Sequence, residues 1–107
     1  MSLQELFAIL NTGAFQNKVA YRAFPVGHAP ALPFICYRAT DTDNYKADNV
    51  VYKVRQFVDV ELYTATKDIS AETALEQIFN NAEITWDKDE DYIESENMYQ
   101  ITYEVSI

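Results

Sequence analysis

Two stretches of the chain repeat apolar residues at the spacing of an amphipathic helix. The first, residues 2–12, begins with Ser2 and Glu5 at the spacing of a capping box. The second, residues 70–81, has Ser70 as its predicted N-cap. Each helix carries one apolar stripe, which must pack against another layer of the protein. The stripes are Leu3, Leu6, Phe7 and Leu10 in the first helix, and Ala71, Ala74, Leu75, Ile78 and Phe79 in the second.

Other stretches have the pattern of β-strands. The clearest is 50–65, in which six of the eight even positions are apolar and four of the eight odd positions are charged. The alternation is interrupted at 56–57, where a bulge is predicted. An extended chain of this length spans roughly 50 Å, whereas a compact domain of this size is only about 34 Å across. The strand must therefore bend, or project as a hairpin with its polar tip at 41–49. The other predicted strands are 18–24, 34–40, one that begins at 84–86, and 98–107.

The predicted order of elements is α-β-β-β-α-β-β, in a single domain over residues 1–107. All three prolines lie in the connection 25–33, which the pattern predicts to be a loop. An antiparallel sheet with both helices on one face is the simplest arrangement that buries both apolar stripes. The sequence thus predicts an α+β fold with a mostly antiparallel sheet and a long β-hairpin.

The net charge of −9 is distributed unevenly along the 107 residues. Residues 83–107 hold eight acidic residues and one lysine, whereas residues 1–82 hold nine acidic and seven basic residues. Binding to nucleic acid or to an anionic membrane requires clustered Lys and Arg, so we expect neither. No signal peptide and no apolar run of membrane-spanning length is recognisable, which predicts a cytoplasmic protein where it is made.

The acidic stretch 86-WDKDEDYIESE-96 admits three interpretations: a metal-binding loop, a surface that faces a partner, or a solvated turn. The metal interpretation is disfavoured. A calcium loop needs Gly at its sixth position and Glu at its twelfth, and counting from Asp87 these positions hold Tyr92 and Met98. Partner surface and solvated turn both stay open.

Sequence signatures of catalysis are weak. Cys36 and His28 are the one cysteine and the one histidine, but they lie in an apolar strand and in the proline-rich loop, respectively. No glycine-rich phosphate-binding motif occurs in the sequence. The many aromatic residues fit a core or an interface better than a base-stacking platform, because a basic groove is missing. We therefore expect a protein that is not an enzyme and has no cofactor.

Four segments resemble small proteins encoded in the tail-gene clusters of long-tailed phages and prophages. They are 29-APALPFICY-37, 47-ADNVVY-52, 60-VELYTATKDISAETALE-76 and 92-YIESENMYQITYEV-105. The size and element order are similar to the tail terminator, or tail-to-head joining, family. The resemblance implies a non-enzymatic virion protein that forms a hexameric ring, ends the tail tube and docks to the head connector. It would occur in the host cytoplasm during assembly and in the virion tail afterwards.

Charges of opposite sign on two patches favour a head-to-tail contact between copies, of the kind that closes into rings. The alternative is an acidic phage protein that binds or inhibits a host component by mimicking the charge of nucleic acid. A further interpretation of the acidic stretch is that it lines the lumen of the ring. The predicted interaction residues are Arg38, Lys46, Lys53 and Arg55 on the hairpin, and Asp87, Asp89, Glu90, Asp91 and Glu94 in the acidic stretch.

Overall fold

The computed structural model describes residues 1–47 and 50–107, with the side chains of 42–54 outside the described part. It confirms the predicted α+β fold and its order of elements, and adds a short 3-10 turn after the first helix. The elements are α1 (Leu3–Leu10), the 3-10 turn (Gly13–Phe15), β1 (Val19–Tyr21), β2 (Phe34–Ala47), β3 (Val50–Thr64), α2 (Ile69–Asn81), β4 (Trp86–Ile93) and β5 (Met98–Ser106).

Both helices begin at side-chain caps. In α1 the Ser2 hydroxyl accepts a hydrogen bond from the Glu5 amide and the Glu5 carboxylate accepts one from the Ser2 amide, so the predicted capping box is present. In α2 the cap is Asp68, whose carboxylate accepts a hydrogen bond from the Ala71 amide. The prediction of Ser70 as the cap was therefore wrong by two residues. Asp68 is an equally good acceptor, and it precedes Ser70 in the chain.

The five strands form one sheet in the order β1-β2-β3-β5-β4. β1 runs parallel to β2, and every other neighbouring pair is antiparallel. The connection from β1 to β2 contains a tight turn in which the His28 amide donates to the Pro25 carbonyl. Gly27 occupies the third position of that turn with φ +79°, a conformation that suits a residue without a Cβ.

One face of the sheet carries the core. The even positions of β3 from 58 onwards and the odd positions of β5 from 101 onwards point towards the helices and are buried, as the alternation predicted. The stripes of both helices pack on this face, although Phe7 of α1 stays 37% exposed beside the ring of Tyr37. The largest fully buried side chains include Phe15, Phe79, Tyr103, Leu6, Leu10 and Leu75.

The other face carries no helix and is called the open face below. Along β3 it displays Phe57, Asp59, Glu61 and Tyr63, which are exposed or half-buried. Cross-strand partners lie on the same face of a sheet, so the register extends this face across the neighbouring strands. The sheet thus separates a dry core from a polar surface.

The β2–β3 hairpin extends past the rest of the sheet. The ladder between β3 and β5 ends at Phe57, whereas the pairing of β2 with β3 continues to Ala47 and Val50. The molecule is correspondingly elongated, at 50 × 27 × 23 Å. We call residues 41–47 and 50–55 the arm. Prediction placed a loop at 41–49, but the described part of that segment continues the strand, and the tip at 48–49 lies outside the described residues.

The predicted bulge is found on the opposite strand. Ala39 pairs with Val58 and Asp41 pairs with Phe57, so the extra residue is Thr40 of β2. The Thr40 hydroxyl donates to the Phe57 carbonyl at 3.2 Å. The irregular alternation near 56–57 therefore predicts the position of the bulge along the hairpin correctly. The extra residue, however, lies in β2 and not in β3.

Candidate interaction surfaces

The acidic stretch is an edge strand for most of its length. Residues Trp86–Ile93 form β4, which pairs with β5 on one side, and the turn to β5 occupies only 94–97. Of the two interpretations left open, the solvated turn therefore applies only to 94–97. The charges on both faces of β4 hid its strand alternation in the sequence. Charged residues are well suited to an edge strand, since they discourage pairing with further strands.

Alternate residues of β4 face opposite sides of the sheet. Lys88 lies opposite Tyr103 and Glu90 lies opposite Ile101, and both of those β5 residues are buried under the helices. Lys88 and Glu90 therefore belong to the helix side. Asp87, Asp89 and Asp91 lie on the open face.

On the helix side, five charged residues form what we call the lysine network: Lys67, Glu72, Glu76, Lys88 and Glu90. Glu72 is 3% exposed, and its carboxylate lies 2.7 Å from the ammonium of Lys67 and 3.0 Å from that of Lys88. Lys88 also reaches Glu76 at 2.7 Å, and Lys67 reaches Glu90 at 2.6 Å. The network connects helix α2, and Lys67 two residues before it, to the edge strand.

The network satisfies a carboxylate that would otherwise be costly to bury. Burial by itself would raise the pKa of Glu72, but the contacts with Lys67 and Lys88 outweigh it and hold the pKa below its usual value. Lys88 lies over the rings of Trp86 and Tyr103, 5.8 and 6.0 Å from their centroids. The hydroxyl of Tyr103, a core residue, donates a hydrogen bond to Glu76 at 2.7 Å, so the network also contacts the core.

On the open face, carboxylates stand directly opposite one another. Asp59 of β3 pairs with Glu104 of β5, and Glu104 pairs with Asp87 of β4. We call these three the carboxylate row. Arg38 of β2 ends the row, 3.5 Å from Asp59. Like charges in directly opposed positions destabilise a sheet, so this row has a cost for folding.

Three shallow clefts of about 290, 270 and 210 Å³ adjoin one another along the carboxylate row. Glu104 lines all three, and the 42% exposed ring of Phe57 lines two of them. Ser106 is among the residues that line the middle cleft, but its hydroxyl oxygen is buried, with no hydrogen-bond partner among the described residues. The open face thus combines negative charge and an aromatic ring.

The predicted interaction residues fall into separate places. Asp87, Asp89 and Asp91 share the open face, Glu94 lies in the exposed turn, and Glu90 is engaged by Lys67 within the chain. Among the basic residues, Arg38 contacts Asp59 of its own chain and Arg55 is half-exposed on the arm. The side chains of Lys46 and Lys53 lie outside the described residues.

Sequence reasoning missed Asp59, Glu104 and Phe57 as parts of this surface. These residues alternate with the apolar residues of β3 and β5. The alternation indicates that they lie on the face of the sheet opposite the core. The pairing of β3 with β5, which brings Asp59 beside Glu104, was not readable from the pattern.

Catalytic chemistry gains no support from Cys36 or His28. Cys36 is buried in β2, and burial raises the pKa of its thiol to about 11, so little reactive thiolate exists at neutral pH. His28 is exposed in the proline-rich loop. Among the residues whose side chains are described, 1–41 and 55–107, no group of three or more His, Cys, Asp or Glu residues is arranged to hold a metal ion.

Neither helix in the described part of the chain has the length and apolar character that crossing a membrane requires. A scan against protein-family models finds no matching family, and a search of curated proteins finds no similar sequence.

Proposed function

We propose that this protein is a non-enzymatic subunit of a phage tail, which assembles into a ring that ends the tail tube and joins it to the head connector. The resemblance of the four sequence segments supports the phage role. The observation that supports assembly is the arm. Beyond Gln56, which exchanges two backbone hydrogen bonds with Ile107, the described residues of β2 and β3 pair only with each other. An isolated two-stranded ribbon is marginally stable in water, so a neighbouring subunit is its natural support.

In this proposal each arm lies against the next copy around a hexameric ring. Such a contact is heterologous, and heterologous contacts close into rings when the rotation between copies allows it. Lys46, Lys53 and Arg55 of the arm would meet acidic residues of the neighbouring subunit. The candidates are Asp89 and Asp91 on its edge strand. Exposed ion pairs contribute only about 0–1 kcal/mol each, but a ring repeats every pair.

Native mass spectrometry of the protein, alone and mixed with tail tubes of a long-tailed phage, tests the proposal. We expect hexamers in at least one of the two samples. The variant Lys53→Glu with Arg55→Glu should remain folded and lose the ring, and adding Asp89→Lys and Asp91→Lys should restore part of it. A matched control is Lys18→Glu with Arg22→Glu, which makes the same charge change beside β1, away from the arm.

Two results would count against the proposal in different ways. Hexamers that form equally in the arm variant and the control would remove the arm from the interface. A monomer in every sample, including the one with tail tubes, would refute ring assembly itself.

A second candidate is an acidic phage protein that binds a host component. The observation that favours it is the carboxylate row, which has a single arginine at its end. The genes around the coding sequence discriminate the two candidates, since a tail-completion gene is expected between connector genes and the major tail tube gene.

A further inference from the structure

The two faces of the sheet treat negative charge differently. On the helix side, each carboxylate of the lysine network has a lysine within 3.0 Å. On the open face, Glu104 and Asp87 of the carboxylate row have no ion-pair partner among the described residues, and Arg38 reaches only Asp59. The lysine network therefore has its carboxylates paired, whereas two of the three carboxylates in the carboxylate row have no ion-pair partner among the described residues.

Local features of the open face suit a cationic side chain. The ring of Phe57 is exposed in a cleft that Glu104 also lines, so an arginine or lysine placed there would contact an aromatic face and a carboxylate together. The clefts form a shallow track that fits an extended segment better than a compact small molecule.

A second copy of this chain is a poor occupant for the track. Of its eight basic residues, Lys67 and Lys88 are held in the lysine network and Arg38 contacts Asp59. The sequence 41–55, which includes the arm, contains three acidic and three basic residues, and the proposed ring already pairs those bases with Asp89 and Asp91. The arm therefore has no net positive charge to offer the carboxylate row. Charge complementarity points instead to a different protein.

We infer that the open face, centred on Asp59, Glu104, Asp87 and Phe57, binds an arginine- or lysine-rich segment of another protein. The segment lies along the two clefts that Phe57 lines and supplies the cations that the carboxylate row lacks. This inference goes beyond ring formation, because the binding surface is complete within one subunit. Repulsion within the row destabilises the unbound protein, and the bound cations neutralise it.

The test uses a fluorescent nonapeptide of arginine, with a glycine–serine peptide of equal length as the neutral probe. Fluorescence anisotropy at low and at physiological salt measures both affinities. We expect the arginine peptide to bind with an affinity that falls as salt rises, and the neutral peptide not to bind. No binding of the arginine peptide at low salt would overturn the inference.

Matched variants separate a specific face from overall charge. The face variant carries Asp59→Asn, Asp87→Asn and Glu104→Gln, and the control carries Glu83→Gln, Glu94→Gln and Glu96→Gln, which are exposed acids off the face. Both variants change the net charge by the same amount. We expect affinity to fall at least about tenfold in the face variant and less than about threefold in the control. Equal losses would show that the peptide responds only to net charge, and would overturn the inference.

The aromatic contact gives an independent measurement. Phe57→Leu keeps an apolar side chain and removes the ring, so we expect affinity for the arginine peptide to fall about two- to fivefold. An unchanged affinity in this variant would remove Phe57 from the binding surface. Native mass spectra of the face variant report ring formation separately, so failure of the binding inference and failure of the proposed function remain distinguishable.

Discussion

The lysine network makes a quantitative prediction at Glu72. The change Glu72→Gln keeps the shape of the side chain and removes the charge that Lys67 and Lys88 share. Hydrogen bonds to charged groups contribute about 1.5–3 kcal/mol, but both lysines are more than a third exposed and can recover water when their partner is lost. Neutralising a carboxylate that is 3% exposed also removes its desolvation cost. We expect a net loss of about 1–2 kcal/mol in the free energy of unfolding.

Urea unfolding followed by tryptophan fluorescence is the assay, because Trp86 is the only tryptophan and lies in the strand that the network holds. With slopes of about 1–3 kcal/mol per molar urea, the midpoint should fall by roughly 1 M. Hydrogen exchange should accelerate most in the amides of β4. Glu83→Gln is the matched control, since Glu83 is exposed and no lysine contacts it among the described residues.

Acid adds an independent signature. The pKa of Glu72 is lowered in the folded protein, so its stabilising contribution is complete above the unfolded value of 4.5 and disappears as pH falls through the lower, folded value. The difference in stability between the wild-type protein and Glu72→Gln should therefore shrink below about pH 4.5. An equal midpoint for Glu72→Gln and Glu83→Gln at pH 7 would refute the reasoning, and would mean that the network contributes nothing net.

Two further predictions concern the open face and the buried thiol. Glu104→Gln removes the middle charge of the carboxylate row, so we expect the free energy of unfolding to rise by about 0.2–1 kcal/mol at low salt and the gain to shrink at high salt. Thermal unfolding at both salt concentrations checks this, and a loss of stability at low salt would contradict it. Cys36, buried and with a thiol pKa of about 11, should react with an aromatic disulfide reagent far more slowly in the folded protein than in urea. Equal rates in the two conditions would show that the thiol is accessible.

Much of the fold was predictable because the local patterns are strong. The stripe of α2, the alternation of β3 and β5 and the Ser2–Glu5 capping box each depend on residues close in sequence, and all four are present. Length also carried information. A strand of 15 residues is too long for a compact domain of this size, and the hairpin does extend beyond the sheet.

Tertiary structure alone decided the character of the acidic stretch. Within 86–93 no local pattern separates the charges that face the helices from those that face away. Lys88 and Glu90 can face the helix side because Glu72, Glu76 and Lys67, distant in sequence, supply their partners. Which charged residues of the edge strand face the helices depends on those partners. The carboxylate of Glu72, which is 3% exposed, can be buried only where lysines provide the opposite charge. For the same reason, the opposition of Asp59, Glu104 and Asp87 follows from strand register, which local periodicity does not encode.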